Sequence, residues 1–349
     1  MPTENNKTLR LIAAFLGIIV AVIMVVALKQ LQSVMLPLSV AILLSFILGP
    51  LVEYLNGKKI PLPLSMFLMV VVVFSVFYLM GLLIYSSSNQ FMNEFPKYEA
   101  RVTTMMHDTL TYFDIPLPRA QEYINQLDWK EALGSLSLPE IISSTLGSFF
   151  GFLGKLIMVT IISLFIIPGR KNLGVRLHKM FEHHRALVLE SMLESVNSQV
   201  QLYLVTKTAI SLATGVLFAL VLWILGVDFP VMWGFLAFVL NFIPTIGSII
   251  ATLPPVLICF VQFGIGWKVV LAALFLSAIQ MVMGNVIEPR IMGKRLNISP
   301  LVVILSLIFW GWLWGIPGMI LAVPITAAIK IACENIDPLK PIGVLLSGK

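Results

Sequence analysis

Long apolar runs occupy most of this chain, and two of them exceed the length of one membrane span. They cover residues 231–263 and 301–330. As one straight helix the first would measure about 50 Å, whereas the hydrocarbon core of a bilayer is about 30 Å thick. Helix-breaking residues interrupt both runs, namely Pro244 and Gly247 in the first and Gly315, Pro317 and Gly318 in the second. Each run is therefore predicted to break near the bilayer midplane, or to enter, turn and return as a hairpin.

The two broken runs resemble each other in the spacing of their prolines. In both cases the two prolines stand 24 positions apart, as Pro230 with Pro254 and as Pro300 with Pro324. Each run also follows a plain apolar span. We therefore predict a repeated unit of one span and one broken hairpin, over residues 208–263 and 268–330.

Basic residues in the loops indicate the sidedness of the predicted spans, because Lys and Arg concentrate on the cytoplasmic side. If residues 231–263 form a hairpin, Arg290, Lys294 and Arg295 lie in the cytoplasm; if they cross as one broken span, these residues lie outside. The rule favours hairpins, an inverted repeat and cytoplasmic termini over a simple eight-span arrangement.

Composition supports a membrane fold. The chain has 349 residues, of which 58% are hydrophobic and 11% charged, against about 25% charged in soluble domains. We predict an all-α polytopic protein with about six full spans, two broken helical hairpins and a small helical extracytoplasmic insert. The predicted segments are a three-span unit at 1–85, the insert at 86–145, a span with an amphipathic helix at 146–207, a transport core at 208–333 and a cytoplasmic tail at 334–349.

Two element boundaries follow from local signals. The second span is expected over residues 31–51, interrupted at Pro37 and ended by Gly49 and Pro50. In the insert, apolar residues recur at helical spacing from residue 91 to 113, which predicts a helix with one apolar face. Such an insert is either a lid or oligomer contact, or a small helical cap.

Several function classes find no support in the sequence. The net charge of +6 is spread over short loops, which does not suggest a nucleic-acid partner. His183 and His184 are adjacent, so they face different directions on a helix, and no third ligand is near; no metal site or cofactor is predicted. No phosphate-binding glycine loop with a lysine is present, so ATP is not the direct energy source.

Polar groups at the first break form the first part of a candidate pathway. Asn241, Thr245 and Ser248 place an amide and two hydroxyls beside Pro244 and Gly247. Freed backbone groups at a broken helix bind polar solutes or ions. The alternative is that these side chains only cap the broken helix ends.

The second part of the candidate pathway lies on the span before the second hairpin. Gln280 lies on a helix face that continues towards Glu288, with Asn285 nearby. Glu288 is either half of a structural ion pair, with Arg290 or Lys294 as partner, or a titrating group.

Aromatic residues precede the second break, which contains Gly315 and Gly318. Trp310, Trp312 and Trp314 either line an aromatic pocket or anchor the protein at the membrane interface.

Several motifs resemble the autoinducer-2 exporter family. They are NFIPTIG at 241–247, NVIEPRIMG at 285–293 and SPLVVILSLIFWGWLWG at 299–315, with further likeness at 203–211 and 318–324. The resemblance implies an inner-membrane transporter that exports a small polar signal and assembles as a homo-oligomer, specifically a pentamer. Some relatives are associated with sodium/proton exchange, so the family alone does not define the solute.

Four hypotheses follow. The leading one is a secondary transporter that exports a small polar metabolite, autoinducer-2. The second is exchange of Na⁺ or another cation for H⁺, with Glu288 as the principal acid. An intramembrane enzyme is disfavoured, because no His-Glu-x-x-His motif and no cluster of intramembrane acids is present. A scaffold that carries no solute is disfavoured by the paired breaks.

Overall fold

A computed structural model describes residues 4–112, 154–169, 173–292 and 297–348 of the chain. The part of the predicted insert after residue 112 lies outside the described residues. So do Lys294 and Arg295, on which part of the sidedness argument rests.

The described residues are almost entirely helical and contain no β-strand. Six helices are long and apolar enough to cross a membrane, which confirms an all-α polytopic fold. A π-helical turn, Met283–Ile287, connects α9 and α10. The helices are α1 (Glu4–Gln30), α2 (Gln32–Gly57), α3 (Leu62–Tyr112), α4 (Gly154–Gly169), α5 (Leu173–Met180), α6 (His183–Leu225), α7 (Pro230–Leu240), α8 (Ile246–Phe263), α9 (Trp267–Val282), α10 (Glu288–Met292), α11 (Pro300–Asn335) and α12 (Lys340–Leu346).

The chain forms two compact units, and the two broken runs fall into different ones. The first unit comprises Met1–Ile47, Met158–Gln201 and Leu296–Lys349, and the second comprises Leu48–Ile157 and Leu202–Arg295.

The core of the second unit is built around the first broken run. Buried residues of α6, α7, α8 and α9 form one apolar cluster, which includes Phe218, Ala237, Ala251 and Leu276. Helices α6 and α7 approach closely where Gly215 faces Gly234: a Cβ on Gly215 would lie 2.6 Å from the carbonyl oxygen of Gly234. Small residues therefore allow α7 to lie directly against α6.

Asp228 shows that the first broken run folds back on itself. It precedes α7, and its backbone N–H donates a hydrogen bond to Oε1 of Gln262, near the end of α8, over 3.0 Å. Gln262 in turn donates to the carbonyl oxygen of Gly226 over 3.0 Å. The start of α7 and the end of α8 therefore lie next to each other. We call α7, the break and α8 the first hairpin.

Helix α3 reaches the open end of this hairpin. The hydroxyl of Tyr98 donates to the Asp228 carboxylate over 2.5 Å, and the Lys97 ammonium lies 3.7 Å from the same carboxylate. Burial, followed by the hydrogen bond to Asp228, raises the pKa of Tyr98, so its phenol remains a donor. Met105 lies beside the other arm end, because its Cε would be 3.7 Å from a Cβ added to Gly264. The extension of α3 beyond the membrane span is thus fastened to both ends of the hairpin.

The second broken run, within the first unit, also reverses direction. At Gly315 the backbone adopts φ 69° and ψ −149°, which interrupts α11. A Cβ on Gly318 would collide with the carbonyl oxygen of Trp310, and Gly311 faces Met319. Residues eight apart in a straight helix are separated by about 12 Å, so these contacts require a reversal. We call the two arms of α11 and their break the second hairpin.

Tryptophans at the tip of the second hairpin pack against the end of α1. The indole N–H of Trp314 donates to the carbonyl oxygen of Leu28 over 3.3 Å, and the Lys29 ammonium lies 4.0 Å from the ring centroid of Trp312. Trp310 and Trp314 are buried with ring centroids 5.0 Å apart. Two of the three tryptophans therefore serve the packing of this unit.

One predicted boundary is wrong, and the helix predicted from residue 91 begins earlier. Helix α2 continues through Pro37 and through Gly49 and Pro50 as far as Gly57. Each proline removes only one backbone hydrogen bond, and in apolar surroundings no water competes for the rest. Helix α3 likewise runs without interruption from the span into the insert, over 51 residues.

Alanine at either hairpin glycine tests the reversals. In Gly247→Ala and Gly318→Ala the new Cβ meets backbone carbonyl oxygens of Leu240 and Trp310, which cannot rotate away. We expect each variant to lose at least about 1–3 kcal/mol of unfolding free energy, as overpacked sites do. Denaturant unfolding in detergent micelles measures it.

Gly81→Ala is the matched control, because Gly81 lies in α3 with no atom within 4 Å of its added Cβ. It should be neutral or slightly stabilising, since alanine favours helix. Wild-type unfolding midpoints for both hairpin variants would contradict the reversal.

Candidate functional site

A cavity of about 380 Å³ lies beside the tip of the first hairpin, within the second unit. The break between α7 and α8, the end of α9 with the π-helical turn, and one ion pair form its wall. The lining residues are Lys207, Asn241, Ile243, Pro244, Thr245, Ser248, Gln280, Met281, Gly284, Asn285 and Glu288.

Most of the predicted pathway residues of the second unit meet at this cavity. Asn241, Pro244, Thr245, Ser248, Gln280, Asn285 and Glu288 all line it. The other predicted residues lie elsewhere: Gly247 is buried at the turn beneath the lining, and Arg290 is exposed on α10. Trp310, Gly315 and Gly318 belong to the first unit, at the second hairpin.

The tip of the first hairpin is a strained turn. Thr245 has φ 63° and ψ −58°, and the Ile246 N–H donates to the carbonyl oxygen of Pro244 over 2.7 Å. This is a γ-turn of the rare form with positive φ, which is unfavourable for a residue with a side chain. Such strain persists only where the surrounding structure holds it, and it is typical of functional sites.

Hydrogen bonds hold this tip in place. The Asn241 amide is buried and donates to the Ser211 hydroxyl of α6 over 2.9 Å. The Ser248 hydroxyl donates to the carbonyl oxygen of Thr245 over 3.0 Å. Ser248 therefore satisfies the broken backbone, as the capping alternative expected, whereas Asn241 ties the tip to another helix.

A buried ion pair closes one side of the cavity. The Lys207 ammonium of α6 lies 2.7 Å and 2.9 Å from the two carboxylate oxygens of Glu288, the first residue of α10. Only 4% of the Lys207 side chain and 19% of the Glu288 side chain are exposed. The predicted partner Arg290 is wrong, because Lys207 binds both oxygens; the other predicted partner, Lys294, lies outside the described residues.

Lys207 is a site residue that the sequence did not single out. It stands 81 positions from Glu288, so no local pattern connects the two. One signal was present: Lys207 is a single charge at the start of a long apolar run, within the stretch 203–211 that resembles the exporter family. A lone charge at such a position favours a buried partner.

The π-helical turn forms a third side of the cavity. It interrupts the regular helix at Met283–Ile287, where Gly284 and Asn285 line the cavity. π-Helical turns are rare and are frequent at functional sites. The chain is thus helical, through the π-helical turn, as far as Met292.

The cavity lies near one end of the spanning helices. Lys207 stands about 27 Å along α6 from its last residue, Leu225, which is close to the apolar thickness of a bilayer. The second arm of the hairpin, α8, has 18 residues and also measures about 27 Å. The break therefore lies about 27 Å from the open end of the first hairpin.

The cavity presents polar groups without a net formal charge. Lys207 and Glu288 neutralise each other, and the remaining polar side chains are the uncharged Asn241, Thr245, Ser248, Gln280 and Asn285. Within the described ranges, no group of three or more His, Cys, Asp or Glu residues is placed to hold a metal ion. This set can exchange hydrogen bonds with a small polar solute.

The fold and the cavity together define a multi-pass membrane protein of the transporter class. Residues 16–337 match the family model described as AI-2E family transporter. The chain belongs to this family.

Curated relatives from several bacteria match almost the entire chain. A protein of Borreliella burgdorferi, named as a transport protein without a stated solute, is 32% identical over 99% of this chain and 93% of its own length. A similarly named protein of Haemophilus influenzae is 31% identical over 95% of this chain and 94% of its own length. The AI-2 transport protein TqsA of Escherichia coli K12 is 32% identical over 96% and 95%.

Removal of one partner tests the buried ion pair. In Glu288→Gln the Lys207 ammonium stays buried without a counter-charge, and we expect a loss of about 3–5 kcal/mol of unfolding free energy. The double variant Lys207→Met with Glu288→Leu should recover most of this loss, because apolar residues of similar volume replace buried pairs at little cost. Thermal and denaturant unfolding in micelles measure both.

The matched control is Lys340→Met, which breaks an exposed pair with Asp337 and should change stability little. If Glu288→Gln unfolds like the wild type, the ion pair does not stabilise this site.

Proposed function

We propose that this protein is a secondary transporter of the bacterial inner membrane, and that it exports the small polar signal autoinducer-2. The observation that carries the proposal is the polar cavity at the tip of the first hairpin. Broken helices are where transporters place their solutes, because the freed backbone groups can bind them.

Two further arguments support autoinducer-2 as the solute. The hydrogen-bonding groups of the cavity suit a small solute rich in oxygen atoms, and the paired charges of Lys207 and Glu288 leave no surplus charge to bind an ion. One relative, TqsA, is named for AI-2 transport. The lack of a phosphate-binding loop favours an ion or solute gradient over ATP as the energy source.

We further propose that both hairpins are re-entrant and approach from opposite sides of the membrane, as an inverted repeat within the core at 208–333. The positive-inside rule supports this arrangement and places both termini in the cytoplasm. The cavity beside Lys207 then opens near the cytoplasmic surface. The family resemblance supports a homo-oligomer, a pentamer.

Cation/proton exchange is the second candidate function. It is favoured by one observation: Glu288 is the single carboxylate in residues 229–333, and it lines the cavity. The geometry argues against it, because the Lys207 ammonium donates to both carboxylate oxygens. An exchanger needs a carboxylate that is free to bind the exchanged ions.

Transport by purified protein in liposomes distinguishes the two functions. We expect the wild type to move autoinducer-2 across the bilayer, and an imposed Na⁺ gradient to produce no change in internal pH. Ser248→Trp should abolish the flux of autoinducer-2, because the indole fills the cavity, while the variant still folds in micelles. Ser277→Trp is the control, since Ser277 is exposed on α9 and does not line the cavity. Na⁺-driven pH change without movement of autoinducer-2 would overturn the proposal in favour of exchange.

A further inference from the structure

Gln280 carries a buried hydrogen-bond donor that lacks a partner. Among the described residues, its Nε2 is the one buried side-chain nitrogen or oxygen that makes no hydrogen bond. Native proteins pair nearly all such groups, and an unpaired buried donor destabilises the fold. An apolar residue of similar volume, such as methionine, would fill this place on α9 without that penalty. The fold alone therefore gives no reason for an amide here.

The position of Gln280 gives a reason. It lies on the wall of the cavity, on the helix face that continues to Gly284 and Glu288. The other buried or half-buried polar groups around it already have partners. Asn241 donates to Ser211, Ser248 donates to the carbonyl oxygen of Thr245, and Lys207 donates to Glu288. The amide of Gln280 is the donor that stays uncommitted.

We infer that Gln280 determines which solutes this cavity accepts, by donating an N–H to a carbonyl or hydroxyl oxygen of an uncharged solute. This inference rests on the proposed function and assigns the recognition step of the same site to one residue. A site with a buried donor discriminates strongly against analogues that lack the matching acceptor, because those leave the donor unpaired. The Lys207–Glu288 pair has no free charge for anions or cations.

Access to the donor requires only local change. Nε2 lies beneath the cavity surface, shielded from solvent contact. The terminal torsion of a glutamine is soft, so its amide rotates at little cost. The strained turn at Thr245, at the tip of the first hairpin, lines the same cavity. The donor is thus positioned to pair when a solute enters.

The experiment compares wild type, Gln280→Met and Gln280→Glu in liposomes loaded with autoinducer-2. Methionine keeps the volume and removes the donor, so we expect KM to rise about tenfold with little change in the maximal rate, corresponding to the loss of one buried hydrogen bond. Gln280→Glu replaces the donor by an acceptor and should raise KM at least as much. Ser277→Ala, on the exposed side of α9, should leave KM unchanged.

Analogues of the solute identify the oxygen atom that accepts the hydrogen bond from Gln280. In a series in which each analogue lacks one oxygen, one analogue should show the same KM with wild type and with Gln280→Met, because the missing bond is then absent in both. Thermal stability provides a measurement independent of transport: Gln280→Met should be at least as stable as the wild type, since it removes an unpaired donor.

The outcomes separate this inference from the proposed function. Wild-type flux of autoinducer-2 with an unchanged KM in Gln280→Met overturns the inference and leaves the proposed function standing. A clear loss of stability in Gln280→Met also overturns it, because the amide then has a partner in the folded protein. Absence of wild-type flux of autoinducer-2 overturns both.

Discussion

The candidate site depends on a backbone contact that only glycine permits. At Gly247 the first turn of α8 lies so close to the carbonyl oxygen of Leu240 that no Cβ fits between them. This approach lets the chain reverse within a few residues. It thereby places the break, from Asn241 to Ser248, beside Lys207 and Glu288. Gly318 makes the same kind of contact with Trp310 in the second hairpin, so one device explains both reversals.

Hydrogen bonds hold the first hairpin at both ends, and these anchors determine which of its residues can change conformation. At the open end, Asp228 binds Tyr98 and Gln262. At the tip, Asn241 binds Ser211. Between that anchor and α8 lies Thr245 in a strained conformation. Strained segments over a cavity relax more readily than the packed arms beside them. The tip is therefore the part of this unit most suited to respond to a solute, and the α3 extension keeps the opposite end fixed.

The buried ion pair contributes geometry and neutrality more than net stability. Taking two charges out of water costs nearly as much as their attraction returns. What Lys207 and Glu288 supply is a fixed link between α6 and the start of α10, directly after the π-helical turn. The link holds Gln280, Gly284 and Asn285 against the cavity, and it leaves the wall without unpaired charge. A neutral, hydrogen-bonding solute is the class that such a wall accepts.

Local sequence signals predicted the parts of this site but not its central contact. Glycine and proline located both breaks, and helical periodicity placed Gln280 and Glu288 on one face. The partner of Glu288 was missed, because Lys207 is distant in sequence and Arg290 and Lys294 are near. Pro37 and Pro50 suggested helix ends that do not occur, since proline rules calibrated in water overstate its effect in apolar surroundings. The sequence did not predict that the cavity lies near one end of the spans, because that position follows from the length of α8 in the structure.

Protection of an introduced thiol tests most directly whether the cavity binds the transported solute. Ser248→Cys is nearly isosteric and faces the cavity, and the native Cys259 and Cys333, both buried, are replaced by alanine. A small water-soluble thiol reagent should modify the new cysteine, and autoinducer-2 should slow that reaction in proportion to its occupancy. Ile265→Cys, in the exposed turn between α8 and α9, should react at the same rate with or without the solute. If autoinducer-2 crosses the bilayer through this protein but leaves the rate at position 248 unchanged, the cavity is not the site of transport.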